Sequence, residues 1–542
     1  MSTFARSILT NANVLTMEAM QPCARAIAVG LDGTILAAGD ADDVDGLRGP
    51  ETHVSDLHGL TVVPGFNDCH MHILPYGIDL SRADLSPQAG VTGIPALIRT
   101  LRNWSDENPR SEWIVGSRYN QNLFPNAAHP SLEELDDAFP DRPVYLKQTS
   151  GHAASVNSLA LKLAGVTRNT PNPPGGEIAR NSLDEPTGVL LEWPAMRLVA
   201  DLIPKPNKAA MEAAILRANL ALVRAGITSA SDLETGSHGM DTEISAYRQA
   251  AEDGAPVRMT LFPGATHFGI PEDVPEQSDF ARRHLEGESG IRIGPMKLYS
   301  DGALTVRTAA LREPYMDGSG NGMLLHEPDE LLAYIQSGHR AGWQIATHAI
   351  GDRAVELVLD CLNSAQEMLL RPSPRHRIEH AMLLDSGLIA RLKIEKVIPV
   401  LQPEFISRLG DAYLLGLGLE RASRLNPVAS LQAAGIGVPF SSDCPVVPGA
   451  PLDGIRAAVR RTTASGTVLG PDECISATDA VRNYTYWAAY STFDETETGT
   501  ISPGKRADLT VLSADPTVDL DNCEVVATII GGHTVYGSER LG

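Results

Sequence analysis

The sequence predicts an α/β protein: a (β/α)8 TIM barrel with a small β-sandwich domain formed from both termini and an inserted subdomain after the first barrel strand. Three observations predict it. Short apolar runs alternate with helical patterns through the middle of the 542 residues, as repeated strand–helix units do. Both ends of the chain are instead rich in short β runs and turn signals, which suits one sheet unit built from the two termini. The first two strand-like runs of the middle stand about 150 residues apart, too far for a single crossover helix, so a subdomain is inserted between them.

Taken in order, residues 1–62 alternate Ser7-Ile-Leu-Thr, Ala26-Ile-Ala-Val and Thr34-Ile-Leu-Ala-Ala with turns at Asp32-Gly33 and Gly39-Asp40. Residues 499–542 resume that style with Asp508-Leu-Thr-Val-Leu and Glu524-Val-Val-Ala-Thr-Ile-Ile. Segments 1–62 and 499–542 are therefore expected to form the composite domain, and 63–498 the barrel, with the insertion at about 80–210. Candidate barrel strands lie near 61–68, 226–231, 256–262, 292–299, 343–348, 376–380, 396–401 and 436–442. Helical patterns such as Glu327 to Arg340 and Arg353 to Met368 separate the later ones. The insertion holds Trp113-Ile-Val-Gly, Val144-Tyr-Leu-Lys and Thr170-Pro-Asn-Pro-Pro-Gly-Gly. Leaving the carboxyl end of the first strand, it overhangs the barrel mouth.

That mouth is where the chemistry-bearing residues collect. In Thr61-Val-Val-Pro-Gly-Phe-Asn-Asp-Cys-His-Met-His an extended backbone points alternate side chains to one face, so His70 and His72 can converge on one metal ion. Lys297, His348, His380 and Asp443 each lie at or near the end of a later strand-like run. In a parallel barrel such ends meet over one opening, whatever their separation in sequence.

Composition removes several classes. Hydrophobic residues at 43% and charged residues at 20% allow a substantial core and exclude a disordered chain. The formal charge of −23 repels phosphate backbones and anionic membrane surfaces, so nucleic acid and membrane are not expected partners. Six scattered cysteines without a Cys-x-x-Cys pair suggest neither a disulfide framework nor a thiolate zinc site. Cys69 and Cys444, beside proposed ligands, are read as packing residues on the opposite strand face. No long apolar run of secretory or membrane-spanning type is present, and a cytoplasmic location is the expectation.

The chain resembles the amidohydrolase superfamily, and within it amidohydrolase family 3, which includes N-substituted formamide deformylases. The resemblance rests on Pro64-Gly-Phe-Asn-Asp-Cys-His-Met-His, Ser150-Gly-His-Ala-Ala-Ser-Val-Asn-Ser, Pro173-Pro-Gly-Gly-Glu-Ile and Pro186-Thr-Gly-Val-Leu-Leu-Glu. Lys297-Leu-Tyr-Ser-Asp-Gly-Ala-Leu, His348-Ala-Ile-Gly-Asp-Arg-Ala, Arg377-Ile-Glu-His-Ala and Ser441-Ser-Asp-Cys-Pro-Val complete it. It implies that His70, His72, His348, His380 and Asp443 surround the metal and that Lys297 bridges two Zn2+ ions as a carbamate. An ion pair of Lys297 with Asp301 or with substrate, and a single ion beside an unmodified lysine, are the alternatives.

The expected activity is hydrolysis of a C–N amide bond, of N-substituted formamides or other N-acyl compounds, by a metal-activated hydroxide with Asp443 as catalytic proton shuttle. A deaminase or cyclic amide hydrolase, and a non-catalytic metal-binding assembly subunit, are the rival readings; a homo-oligomer stays open. For the small-molecule amide substrate the candidate contacts are Arg307, His152, Trp193 and Tyr119. Against these stand an arginine stapling its own loop, a structural cap, and aromatic core residues. Asp352 and Glu379, beside ligands, are candidates for orienting imidazoles.

Overall fold

A computed structural model describes residues 4–285 and 290–541. The core is an α/β assembly of parallel strands. Phe66–Met71, Ile227–Thr235, Arg258–Pro263 and Ile291–Ile293 pair in that order, as do Met296–Tyr299, Ile345–Ala349, Arg377–His380 and Ile398–Val400. A parallel bridge from Gly264 to Lys297 links the two sheets, and another joins Leu401 to Phe440. The backbone then returns to the first strand: the Asp443 N–H donates to His70 O at 2.8 Å and the His72 N–H to Cys444 O at 2.8 Å. Helices on the outside bury one stripe each. In Asp352–Met368 the buried positions Ala354, Val355, Val358, Leu359, Leu362 and Ala365 follow the 3.6-residue period.

Three expected strands differ in detail. The run at 61–68 is divided at Gly65: Thr61–Pro64 pairs with Leu509–Leu512, and only Phe66–Met71 enters the parallel core. The cause is steric, because a Cβ on Gly65 would lie 2.1 Å from Thr228 Oγ1. The run at 292–299 breaks at Gly294-Pro295, where proline has no N–H for the ladder. The segment at 436–442 forms no strand beyond its bridge at Phe440. Pro439 removes a donor there, and the Ser442 N–H and hydroxyl turn instead to the buried Asp68 carboxylate.

The chain ends interleave. One sheet runs Ile35–Gly39, Ala26–Val29, Ser7–Thr10, His53–Asp56; the other runs His533–Tyr536, Val525–Ile530, Leu509–Leu512, Thr61–Pro64, Asn13–Leu15, Cys23–Ala24. Their apolar faces share one cluster that includes Leu9, Ile27, Val29, Val62, Leu509 and Ile529. Arg258 ties this unit to the parallel core through Asp508, Nε to Oδ2 at 2.6 Å.

Between Phe66–Met71 and Ile227–Thr235 the chain builds a separate six-stranded sheet. Its order is Glu177–Arg180, Pro186–Leu191, Ala153–Val156, Val144–Gln148, Ile114–Tyr119, Ala83–Asp84. Alternation makes both faces apolar: Ile114, Val144 and Leu146 face one cluster, and Val115, Tyr145 and Val156 the other. The following helix, Lys208–Arg224, starts at an Asn207 cap, whose side chain accepts from the Ala210 N–H at 2.9 Å.

A buried histidine pair under the core has determined tautomers. His376 Nδ1 accepts from the Ile345 N–H at 3.0 Å, so its proton is on Nε2 and is donated to His339 Nδ1 at 2.8 Å. His339 Nε2–H then donates to Leu369 O at 2.6 Å. Burial first, and the neighbouring ring and Arg371 next, hold the His376 imidazole well below its ordinary pKa. A depressed folded pKa makes the unfolded state bind more protons once pH falls below about 6.5. The contribution is therefore intact above that pH and is lost on acidification, at up to about 1.4 kcal/mol per pH unit for one such group. We expect the melting temperature to fall between pH 7 and 5 more steeply in the wild type than in His376→Gln, measured by thermal denaturation.

Candidate metal centre

The site is assembled at the carboxyl ends of the parallel strands, and each imidazole there is aimed by a partner on its far nitrogen. His70 Nδ1 is 2.7 Å from Glu379 Oε2, His72 Nδ1 is 2.8 Å from Leu233 O, and His380 Nδ1 is 2.7 Å from Gln402 Oε1. Acceptors at Nδ1 place the proton there and leave Nε2 as a lone pair directed at the cavity. His348 is reversed: its Nε2 is 3.1 Å from Gly302 O, which leaves Nδ1 free. The rings gather, with His380 lying 4.8 Å from His70 and 4.5 Å from His348 between centroids.

Asp443 Oδ1 lies 3.2 Å from His70 Nε2 and 3.1 Å from His72 Nε2. The ligand atoms of these three residues all fall within 4.8 Å of one another. Burial opposes the charge on Asp443, but His70, His72 and His380 hold its carboxyl well below the usual range. Burial pushes the His380 imidazole down to about 3 and holds that of His348 well below its ordinary value. Both therefore stand ready as neutral donors at physiological pH.

Lys297 is 1% exposed, and its Nζ has no hydrogen-bonding partner among the described residues, lying 4.6 Å over the Tyr299 ring. Burial lowers its ammonium to about 8. Asp301, the expected ion-pair alternative, is committed elsewhere: its carboxylate accepts from the backbone N–H groups of Ala310, Ile350 and Gly351 at 2.8, 3.0 and 2.9 Å. A buried, unpartnered amine beside four imidazoles and a carboxylate fits a divalent metal centre, because histidine and carboxylate are borderline-hard ligands suited to ions such as zinc.

Several supporting residues have no role assigned from the sequence, although Arg377 and Asp68 fall within its motifs. Arg377 grips Glu379 with two bonds, Nε to Oε1 at 2.7 Å and Nη2 to Oε2 at 2.8 Å, and both side chains are fully buried. Asp68, raised to about 6 by burial, holds the Ser442 turn that carries Asp443. Glu234 is the penultimate residue of the Ile227–Thr235 strand and is among the charges acting on Lys297. Backbone geometry marks the same mouth, since His380, Asp443, Glu192 and Glu234 all have positive φ, at 74°, 59°, 63° and 74°. Such conformations cost a non-glycine residue of order 1–3 kcal/mol and persist where the surroundings enforce them. Removing one partner of a buried ion pair strands the other charge, so Arg377→Met is expected to destabilise the protein by about 3–5 kcal/mol. Chemical denaturation with and without added metal would measure it.

The weaker candidates separate. His152 reaches the centre, its ring 5.4 Å from that of His348. Arg307 does not: its Nε binds Asp317 at 2.6 Å and its Nη1 binds Leu304 O at 2.6 Å, so it staples its own loop. Tyr119 is fully buried inside the inserted sheet, bonded to His129 and Ser155 and stacked on Phe124. Trp193 is 39% exposed beneath Lys147, 5.4 Å from its Nζ to the ring centre. Asp352 accepts from the Arg312 N–H at 2.9 Å and orients no imidazole, whereas Glu379 does. Cys69 and Cys444 are buried thiols, consistent with packing.

A cavity of about 20 Å³ lined by His152, His348, His380 and Asp443 adjoins a larger one of about 600 Å³. Leu409 and Val446 line both. Convergent imidazoles and a carboxylate on an α/β scaffold define a metal-dependent hydrolase. The sequence profile described as "Amidohydrolase family" matches residues 53–536. The chain therefore belongs to that family and is a hydrolase acting on carbon–nitrogen bonds other than peptide bonds. It is 32% identical over 517 residues to YtcJ of Bacillus subtilis (strain 168), covering 93% of this chain and 94% of that one. It is also 32% identical over 562 residues to the N-substituted formamide deformylase of Arthrobacter pascens, covering 99% and 98%. A solved structure described as an uncharacterized metal-dependent hydrolase from Pyrococcus furiosus superposes with a TM-score of 0.70 at 27% identity, over 94% of this chain and 99% of that one. Among the described residues no helix is long and apolar enough to cross a membrane.

Proposed function

We propose that this chain hydrolyses the amide bond of small N-acyl compounds, N-substituted formamides first among them, at a centre of two zinc ions in the cytoplasm. The observation that carries the reading is the convergence of His70, His72 and Asp443 within 4.8 Å beside the buried, unpartnered Lys297. The relative from Arthrobacter pascens supports the formamide class. We also read the parallel strands as a closed (β/α)8 barrel and the terminal sheets as a β-sandwich.

His70, His72 and Asp443 would hold one ion and His348 and His380 the other, with the Lys297 carbamate between them. Metal bound there supplies Lewis-acid polarisation of the amide carbonyl and lowers the pKa of water to roughly 7. Lys297 is suited to carbon dioxide because only a neutral amine adds to it, and burial leaves a substantial neutral fraction near pH 8. Asp443, kept ionised, accepts the proton of the attacking water and delivers it to the departing nitrogen. Glu379, Gln402 and the Leu233 and Gly302 carbonyls fix the imidazoles so that none must reorient. The inner cavity has room for little more than a small acyl group, and the larger cavity takes the N-substituent.

The small-molecule amide is the partner in this reading; neither nucleic acid nor membrane is expected with a charge of −23. The test is a panel of N-butylformamide, N-butylacetamide, a cyclic amide and an aminopyrimidine offered to the metal-loaded protein. Formate with butylamine is the expected product pair. Ammonia from the aminopyrimidine, with no carboxylate from the others, would replace amide hydrolysis with deamination.

A further inference from the structure

We propose that His152 Nε2 is the hydrogen-bonding atom that the inserted sheet delivers to the amide being cleaved, and that Glu192 is its positioning residue. The proposal rests on the amide-hydrolase reading above. His152 lies beyond the first strand of the inserted sheet's central hairpin and not on any strand of the parallel core. Yet its ring meets His348 and lines the inner cavity with His380 and Asp443.

The ring cannot turn away. Nδ1 is held by Glu192 Oε2 at 2.6 Å, and the Glu192 N–H donates to His152 O at 2.8 Å, so side chain and backbone are clamped by one residue. Nε2, on the opposite side of the ring, has no protein partner among the described residues. A fixed imidazole with one engaged nitrogen and one open to a reaction cavity is arranged to touch a ligand.

Glu192 is built for that one task at visible cost. It is fully buried at φ 63°, and its Oε1 has no hydrogen-bond partner among the described residues. Gly302 makes space for it, since a Cβ there would lie 2.3 Å from Oε1. A buried carboxylate half satisfied and held in a disfavoured conformation is costly as mere filling. The loop is also docked on the segment that carries Asp443: Thr149 Oγ1 donates to Val446 O at 2.9 Å. Thr149 lines the outer cavity and His152 the inner one, so an amide spanning both passes this loop.

The experiment compares wild type, His152→Ala, His152→Gln, Glu192→Ala and the double alanine variant, all with metal content measured. His152→Ala is expected to lower kcat/KM for N-butylformamide by about a hundredfold at full metal content, with partial recovery in His152→Gln. Glu192→Ala is expected to lower it alone but to add nothing in the His152→Ala background, the mark of a residue acting through another. In the Asp443→Asn background, where substrate survives, His152→Ala is expected to weaken calorimetric binding of N-butylformamide about tenfold. Unchanged kcat/KM and binding in His152→Ala, or additive losses in the double variant, overturn the proposal. Absence of amide cleavage by the wild type would instead remove the reading on which it rests.

Discussion

Asp443→Asn is expected to abolish turnover while leaving the fold intact. Asparagine keeps the shape of the side chain and an oxygen for His70 and His72, so the loop pinned by Asp68 and Ser442 has no reason to move. It has no basic oxygen able to take a proton from water, and loss of a positioned proton acceptor lowers kcat by about 10²–10⁴-fold. The charge it removes is one that its surroundings maintain, since the neighbouring imidazoles overcome burial to keep the carboxyl ionised. Steady-state rates with metal analysis and a melting curve decide the matter: turnover within tenfold of the wild type, with metal retained, rejects Asp443 as the proton shuttle.

Lys297→Met separates function from stability. Methionine fills nearly the same volume, and the amine it replaces is buried without a partner, which is unfavourable in the metal-free protein. The metal-free variant is therefore expected to melt no lower than the metal-free wild type. Turnover is expected to fall by about 10³-fold or more, and bound metal to drop, because the ligand proposed to bridge the ions is gone. Lys297→Ala, which leaves a gap, is expected to regain part of the lost rate with added formate or acetate, whose carboxylates have the two-oxygen shape of a carbamate. Equal activity of Lys297→Met and wild type would eliminate the bridging role.

The supporting network explains why so few substitutions at the mouth should be neutral. Each imidazole is held by a group that is itself held: Arg377 fixes Glu379, which fixes His70, and Ser441 is the acceptor for the Gln402 amide that meets His380. Coupled groups of this kind lose their function together. The positive φ values at His380 and Asp443 fit the same picture, with strain at the site sustained by the packed core beneath it.

The proposed ligand residues stand out in the sequence because their chemistry is local. His70 and His72 share a face by strand alternation alone, and Lys297, His348, His380 and Asp443 each stand where an apolar run gives way to polar sequence. The helices were legible for the same reason, as the Asp352–Met368 stripe follows a period readable in the chain. The end of the parallel circuit was not, since Pro439 and the Asp68–Ser442 contact convert an apolar run into a bridge and a turn. Arg307 and Tyr119 have residue types that suit a binding site and a structural staple equally well. Only the positions of Asp317 and Leu304, and of His129 and Ser155, show them engaged elsewhere.

By itself the sequence determined the α/β class and the family, and it singled out the six side chains proposed as ligands, all from periodicity and from motifs a few residues long. Tertiary structure alone decided which nitrogen each histidine turns to the cavity, that the Lys297 amine has no hydrogen-bond partner among the described residues, and that Glu192 clamps His152 from the inserted sheet. The physical reason is distance along the chain. Glu379 and His70 are 309 residues apart, and His72 and Asp443 are 371 apart, so these contacts come into existence only when the whole core has closed around them.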